Sequence, residues 1–299
     1  MSVIDEIGSA VGTVATSVGT SVVGIGRDGR GSGVVIADGQ VLTNAHNLRG
    51  GEVTVTFADG RSTIGTVAGV DPDGDVAAVT VDTAGAKPIE WGGGDGAKVG
   101  DAVFGVAATR GGGVRVTFGL VSSIERSFRG PGGRRIAGSV EHTAPLAPGS
   151  SGSALVDASG RLVGLNTNRI GEGFYLALPA DAALKSRVEA LGRGESAQRP
   201  RLGVAIAPNH VARRLRRSVG LPERDGILVR GVEDGSAAAA AGVEVGDLIF
   251  SAGGREIRDA DDLQDALTAL EAPYDLGIVR GAEEKTLSVA KPGRTPGDA

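Results

Sequence analysis

Between Gly33 and Leu178, apolar and polar residues alternate in short runs broken by Gly, Asp, Asn and Pro, a rhythm that predicts many short strands. The pattern predicts strands at Gly33–Ile36, Glu52–Phe57, Thr63–Asp71, Val76–Val81, Ala102–Val106, Val114–Ile124, Ser153–Val156, Leu162–Thr167 and Phe174–Pro179, with a further buried strand leading through Val41 and Leu42 towards His46. Strands at this spacing argue for antiparallel barrels. Ahead of them, Ile4, Ile7, Val11, Val14 and Val18 recur at three- and four-residue steps, which is helical. Gly, Ser, Thr and Val crowd the same stretch, so the expectation is a short, weak helix and then a first strand near Ser21–Ile25. Asp181–Leu191 reads as another helix, with Ala183, Leu184, Val188 and Leu191 on one side.

Periodicity then stops. The run from Gly192 to Pro200 is polar and reads as a linker, so the expected division is an N-terminal segment 1–20, a first domain 21–191, a linker 192–200, a second domain 201–291 and a disordered tail 292–299. The second domain shows strands at Gly203–Ile206, Gly226–Val232, Asp247–Ala252, Asp275–Arg280 and Lys285–Ala290. It also carries a helix, Asp261–Leu270, which Asp259 can cap and whose Leu263, Ala266, Leu267 and Leu270 form an apolar face.

Composition narrows the function classes. A chain of 299 residues with 40% hydrophobic residues has room for about two globular domains, and its 51 glycines suit tight turns. There is no cysteine, so disulfides, a thiol nucleophile and thiolate metal sites are excluded. A net charge of −5 gives no broad reason to bind nucleic acid or an anionic membrane. The local exception, Arg213-Arg214-Leu215-Arg216-Arg217, spreads around a helix and reads as a solvated face rather than a polyanion site. No apolar run is long enough to span a bilayer. Asp5 and Glu6 precede the first basic residue, Arg27, the reverse of a signal peptide, so the sequence as it stands is expected to be cytoplasmic.

The candidate chemistry lies in the first domain. A serine hydroxyl becomes a nucleophile when an imidazole takes its proton and a carboxylate holds that imidazole. Ser151 sits in Pro148-Gly149-Ser150-Ser151-Gly152-Ser153-Ala154-Leu155, small residues that let backbone amides converge on a reacting carbonyl. His46 ends the strand of Val41-Leu42-Thr43-Asn44-Ala45-His46, and Asp75 ends the turn of Asp71-Pro72-Asp73-Gly74-Asp75. Of the other histidines, His142 stands too close to Ser151 in the chain to reach round as its base, and His210 belongs to the second domain. Asp71, Asp73 and Asp75 resemble the opening of a calcium loop, but Val76 stands where that loop needs Gly. An α/β-hydrolase elbow needs Gly at Ser153 and the opposite order of triad residues.

These motifs, in the order His46, Asp75, Ser151, resemble the trypsin-like serine proteases of the HtrA/Deg family. Ser150, usually Asn there, and Ser153, usually Gly, depart from the family pattern. The resemblance implies a mainly β fold in which two six-stranded barrels hold the triad in the cleft between them, followed by a smaller α+β PDZ domain. It implies endoproteolysis of unfolded or misfolded polypeptides without ATP, metal or other cofactor. Gly149 and Ser151 amides would form the oxyanion hole with Ser150 shaping the turn, and Pro145, Leu146, Asn166, Thr167 and Asn168 would line the primary specificity pocket. No acidic residue sits there, so an apolar or small residue is expected before the scissile bond; the same residues could instead simply pack the barrel.

The second unit resembles the bacterial PDZ type through Gly226-Ile227-Leu228-Val229, Gly235-Ser236-Ala237-Ala238, Ala241-Gly242-Val243 and Gly246-Asp247-Leu248-Ile249. Leu202, Gly203 and Val204 match the carboxylate-binding loop, a peptide C-terminus would add a strand beside Val204 to Ile206, and Leu263 and Leu267 would border the terminal side chain. In the family the N-terminal segment helps build homotrimers, often with aromatic residues that are missing here. The family habit of working outside the cytoplasm makes a periplasmic location the alternative. A scaffold or holdase of the same fold, binding polypeptide without cutting it, is the competing function.

Overall fold

A computed structural model of the chain describes residues 2–92, 96–130, 135–171, 173–195, 201–218, 220–222 and 224–290, without the side chains of Asp28 and Asn168. The tail 292–299 and the linker residues 196–200 lie outside the described residues. The chain divides into two compact units, Met1–Ala197 and Gln198–Ala299.

The first unit opens with α1 (Val3–Val18), 16 residues long and so longer than the composition predicts. Two things outweigh the weak propensity. Ser2 and Asp5 form a reciprocal capping box at its start, and Val14 and Val18 are buried in the core at its end, so packing rather than propensity holds it. Strands β1 (Val22–Ile25), β2 (Gly31–Ala37), β3 (Gln40–Thr43), β4 (Glu52–Thr56), β5 (Ser62–Asp71) and β6 (Val76–Thr80) close into a barrel in the order β1-β2-β3-β6-β5-β4. A second closed barrel, β10-β11-β12-β9-β8-β7, is built from β7 (Ala102–Ala108), β8 (Val114–Arg129), β9 (Arg135–His142), β10 (Ala154–Val156), β11 (Leu162–Arg169) and β12 (Tyr175–Pro179). The sequence pattern missed β9, whose apolar rhythm is thin and interrupted by Gly138. Helix α2 (Ala182–Gly192) follows, capped by Asp181. Leu184, Val188 and Leu191 are its buried face, whereas Ala183, expected among them, is exposed.

The residues of β1 to β3 are buried on both faces for a simple reason. In β1 to β3, Val23, Val35 and Val41 fill the first barrel, while their neighbours Val22, Val34 and Leu42 join a larger cluster with Val14, Phe104, Leu165 and Val188. Alternate residues therefore point into the barrel or into the packing around it.

The second unit comprises β13 (Val204–Ala207), α3 (Asn209–Ser218), β14 (Ile227–Val232), α4 (Ala237–Ala241), β15 (Leu248–Ala252), β16 (Arg255–Glu256), α5 (Ala260–Ala269), β17 (Tyr274–Arg280) and β18 (Glu283–Val289). Its sheet runs β13-β14-β15-β17-β18, with β16 paired to β15, so β13 is an edge strand. The basic run on α3 is not a purely solvated face. Arg216 is 6% exposed, and its guanidinium donates to the carbonyls of Pro222 (3.0 Å) and Gly281 (3.4 Å), because α3 lays its Ala212 side against Leu228 and Leu248.

Candidate active site

Asp75 is 1% exposed and its backbone is left-handed, with φ +53°, at the point where the Asp71 turn enters β6. Asn44 holds that backbone by donating from Nδ2 to the Asp75 carbonyl at 2.9 Å. The buried carboxylate is satisfied by three donors: His46 Nδ1, 2.9 Å from both oxygens, the His46 amide at 3.2 Å and Thr167 Oγ1 at 2.7 Å. An ionised carboxylate only accepts, so Nδ1 carries the proton and Nε2 keeps its lone pair. The His46 side chain is 30% exposed, on the short 3-10 turn Ala45–Asn47. The remainder of the acidic turn is structural: Asp71 accepts from the Gly74 amide at 3.0 Å and pairs with Arg187 at 3.3 Å.

The loop that carries Ser151 is pinned from three sides. The Ser151 carbonyl accepts from the Ser32 amide at 2.8 Å and from Asn47 Nδ2 at 2.9 Å. Ser32 Oγ donates to the Gly149 carbonyl at 3.1 Å, and the Gly152 amide donates to the Asn166 carbonyl at 2.7 Å. Ser150 is buried and closes the turn, its amide on Ala147 and its carbonyl under the Ser153 amide. Gly152 has φ +84°, and a Cβ there would stand 2.1 Å from the Ser32 carbonyl and 2.6 Å from Thr43 Oγ1, so only glycine fits. Among the described residues the amides of Gly149 and Ser151 donate to no backbone carbonyl. The Ser151 hydroxyl donates to the Thr167 carbonyl at 3.1 Å; among the described residues it has no hydrogen bond to His46.

The expected specificity residues separate. Pro145 is exposed and Leu146 lies over Gly105 of β7, where a Cβ would approach its Cδ2 to 2.9 Å. Asn166 is fully buried, and its side chain is committed to His142 Nε2 (2.9 Å), Ser153 Oγ (2.9 Å) and the Ala154 carbonyl (3.2 Å). It braces the loop from beneath, and its amide has no donor left to offer a ligand. Thr167 likewise spends its hydroxyl on Asp75. Asn168 lies in β11, its side chain outside the description.

His142 sits in this wall. Asn166 Nδ2 is donating, so its Oδ1 faces His142 and the His142 proton is on Nε2. Burial pushes the His142 imidazole down to about 4, against which the Asn166 hydrogen bond and the Glu141 charge pull upward. Ser32, Asn44, Asn47 and the buried roles of Asn166 and Thr167 escaped the sequence reading. Gly31-Ser32-Gly33 was the available signal for the first of these.

In the second unit, the Leu202 and Gly203 carbonyls accept from the Ala238 and Glu233 amides at 2.8 and 2.9 Å. Among the described residues the amides of Leu202 and Gly203 donate to no backbone carbonyl. Leu202, Leu263 and Leu267 are buried in one apolar cluster, with Val204 and Ile206 packed against it. Leu263 and Leu267, with Ala266, are the buried residues of α5.

Among the described residues no three His, Cys, Asp or Glu side chains converge in a way that could hold a metal ion, and no helix is long and apolar enough to cross a membrane.

Residues 31–165 match the trypsin-like peptidase domain family, and residues 228–276 match the PDZ domain family. The putative serine protease HhoB of Synechocystis sp. is 32% identical over 287 residues, spanning 91% of this chain and 68% of that protein. HhoA of the same organism is 34% identical over 87% of this chain and 70% of its own length. A probable periplasmic serine endoprotease, DegP-like, from Pseudomonas fluorescens is 32% identical over 87% of this chain but 55% of its own. Among solved structures, the HtrA-type protease AlgW with decapeptide matches with a TM-score of 0.73 at 25% identity, covering 96% of this chain and 99% of that one.

Proposed function

The chain belongs to the HtrA/Deg family and is a serine endopeptidase with a trypsin-like domain and a PDZ domain, and from that premise we propose that Ser151, His46 and Asp75 are its catalytic triad. The observation that carries the assignment is the buried Asp75 carboxylate, which orients His46 through Nδ1 at 2.9 Å and leaves Nε2 as the base. In the proposed reaction the Ser151 hydroxyl must first turn away from the Thr167 carbonyl, to which it donates at 3.1 Å. It then gives its proton to His46 Nε2 and attacks the scissile carbonyl. The Gly149 and Ser151 amides receive the oxyanion, and His46 then protonates the leaving amine. Water repeats the sequence to release the acyl group.

The proposed substrates are unfolded polypeptides, cut without ATP or any cofactor, since every step above uses only this chain and water. No acidic residue stands among Pro145, Leu146, Asn166, Thr167 and Asn168, which favours an apolar or small residue before the scissile bond. Peptide C-termini would bind the second unit through the Leu202 and Gly203 amides along the β13 edge; AlgW with decapeptide is a relative bound to peptide. Val3 and Ile4, exposed at the start of α1, support self-association, and the family habit makes a homotrimer the proposed assembly. The periplasmic description of a relative supports an extracytoplasmic site of action over a cytoplasmic one.

A fluorophosphonate probe with peptide mapping tests the assignment, alongside casein turnover by wild type and Ser151→Ala. Label on Ser151 and loss of turnover in the variant are expected. Equal background cleavage by both proteins, with no label, would instead favour a polypeptide-binding scaffold.

A further inference from the structure

Beside the nucleophile loop lies an open cleft of about 290 Å³ lined by Arg27, Arg30 and Arg49 together with Asn47, Glu52 and Ile64. The arginines arrive from two separate places: Arg27 and Arg30 from the turn between β1 and β2, and Arg49 from just beyond the His46 turn. Among the described residues none of the three guanidiniums has an ion pair or hydrogen bond, and Glu52 is the one acidic side chain lining the cleft. Outside the cleft lining, Arg110 of the β7–β8 turn packs its stem against the same turn, where a Cβ on Gly29 would approach its Cγ to 3.0 Å. In a chain of net charge −5, such a concentration of unpaired cations is local and not the general surface.

The cleft is joined to the reacting centre by backbone. A Cβ on Gly149 would lie 2.4 Å from the Gly29 carbonyl, so the arginine turn abuts the oxyanion loop. Asn47, which lines the cleft, directly follows His46 and holds the Ser151 carbonyl at 2.9 Å. His46 must hand its proton to the leaving amine, so the substrate segment after the scissile bond departs on the His46 side. The segment before that bond belongs on the other side, towards Pro145 and Leu146.

We propose that Arg27, Arg30 and Arg49 form a subsite for acidic side chains on the substrate segment that follows the scissile bond. The proposal deepens the Ser151 assignment and rests on it. Carboxylates two or three residues after the cut would meet guanidiniums that have no partner to give up, so little is lost in forming the pair. The pairs remain exposed, so the gain is modest and screened by salt.

The test uses the full-length chain and two quenched fluorogenic peptides that are identical up to the scissile bond. One carries Asp and Glu at the second and third positions after it, the other Asn and Gln. Wild type is expected to give a kcat/KM about three- to tenfold higher for the acidic peptide at low ionic strength, a preference that shrinks as salt is added. Arg27→Gln/Arg30→Gln/Arg49→Gln is expected to bring the ratio close to one. Arg49→Glu alone, a lesser change to the fold, is expected to lower it as well. Wild type that labels at Ser151 and cuts both peptides equally overturns the subsite and leaves the triad standing, as does a preference unchanged in both variants. Wild type that neither labels nor cuts overturns the Ser151 assignment and the subsite with it.

Discussion

Thr167 Oγ1 donates to Asp75 Oδ2 at 2.7 Å across 92 residues of sequence, inside a wall where both residues are almost fully buried. The same threonine accepts the Ser151 hydroxyl on its carbonyl at 3.1 Å. One residue of β11 therefore touches both ends of the proposed triad, holding the carboxylate that orients the base and parking the nucleophile.

Thr167→Val keeps the shape and removes the hydroxyl, leaving Asp75 Oδ2 with His46 alone. A hydrogen bond to a buried charge contributes about 1.5–3 kcal/mol, so a fall in kcat of roughly ten- to a hundredfold is expected, with KM little changed and Thr167→Ser restoring most of it. Steady-state kinetics on a fluorogenic peptide decide the matter. A Thr167→Val enzyme with wild-type kcat would mean that the hydroxyl only packs.

Gly152 meets both barrels at once. Gly152→Ala adds a Cβ 2.1 Å from the Ser32 carbonyl, at φ +84°, which should cost about 2–4 kcal/mol and abolish probe labelling of Ser151. Gly171→Ala, at φ +65° with nothing within 4 Å of the new Cβ, isolates the backbone penalty, about 1 kcal/mol. Urea denaturation of the two variants should separate them; equal losses would show that the collision with Ser32 relaxes away.

The motifs around His46, Asp75 and Ser151 stand out in the sequence because each proposed catalytic residue has its own local setting: a strand end, a left-handed turn, a loop of small residues. The barrels were legible because β1 to β3 place apolar side chains on both faces. What could not be read was partnership. Nothing local tells that Asn166 reaches His142 on one side and Ser153 on the other, or that Thr167 belongs to Asp75, because the barrel closure brings them together. Both were therefore expected in a ligand pocket. Helix α1 was misjudged in length for a related reason, its burial at Val14 and Val18 being a tertiary fact. Arg216 was expected in solvent because carbonyl partners at Pro222 and Gly281 leave no trace in a run of charges.

His142 should make the fold acid-sensitive. Its folded pKa, lowered to about 4 mainly by burial, lies below its ordinary value of 6.5. Between these values the unfolded chain binds a proton that the folded chain refuses. The stability contributed by a neutral His142 is thus fully present above about pH 6.5 and is lost progressively as pH falls to 4, by up to about 3 kcal/mol. His142→Gln, which can still donate to Asn166, should flatten that part of the stability profile measured by urea denaturation. Parallel profiles for wild type and variant between pH 7 and 4 would assign the acid sensitivity to other groups.

The two compact units make the last prediction. Each carries its own core, with Leu165, Leu176 and Val188 in the first and Ile227, Ile249 and Leu276 in the second, so deleting residues 201–299 should leave a folded protein that still reacts with the probe at Ser151. It should lose binding of peptides that end in an apolar residue. In the intact chain, Gly203 has φ +79°, and a Cβ would stand 2.2 Å from Ser236 Cβ. Gly203→Ala should therefore displace the turn whose free amides are proposed to take the terminal carboxylate, weakening such peptides about tenfold or more while basal peptide cleavage persists. Isothermal titration with a C-terminal peptide and its amidated twin supplies the measurement. The amide should bind weakly to both proteins and the free acid tightly to wild type alone. Equal affinity of wild type for acid and amide would remove the carboxylate from the recognition, and a truncated protein that fails to fold would show that the first unit depends on the second.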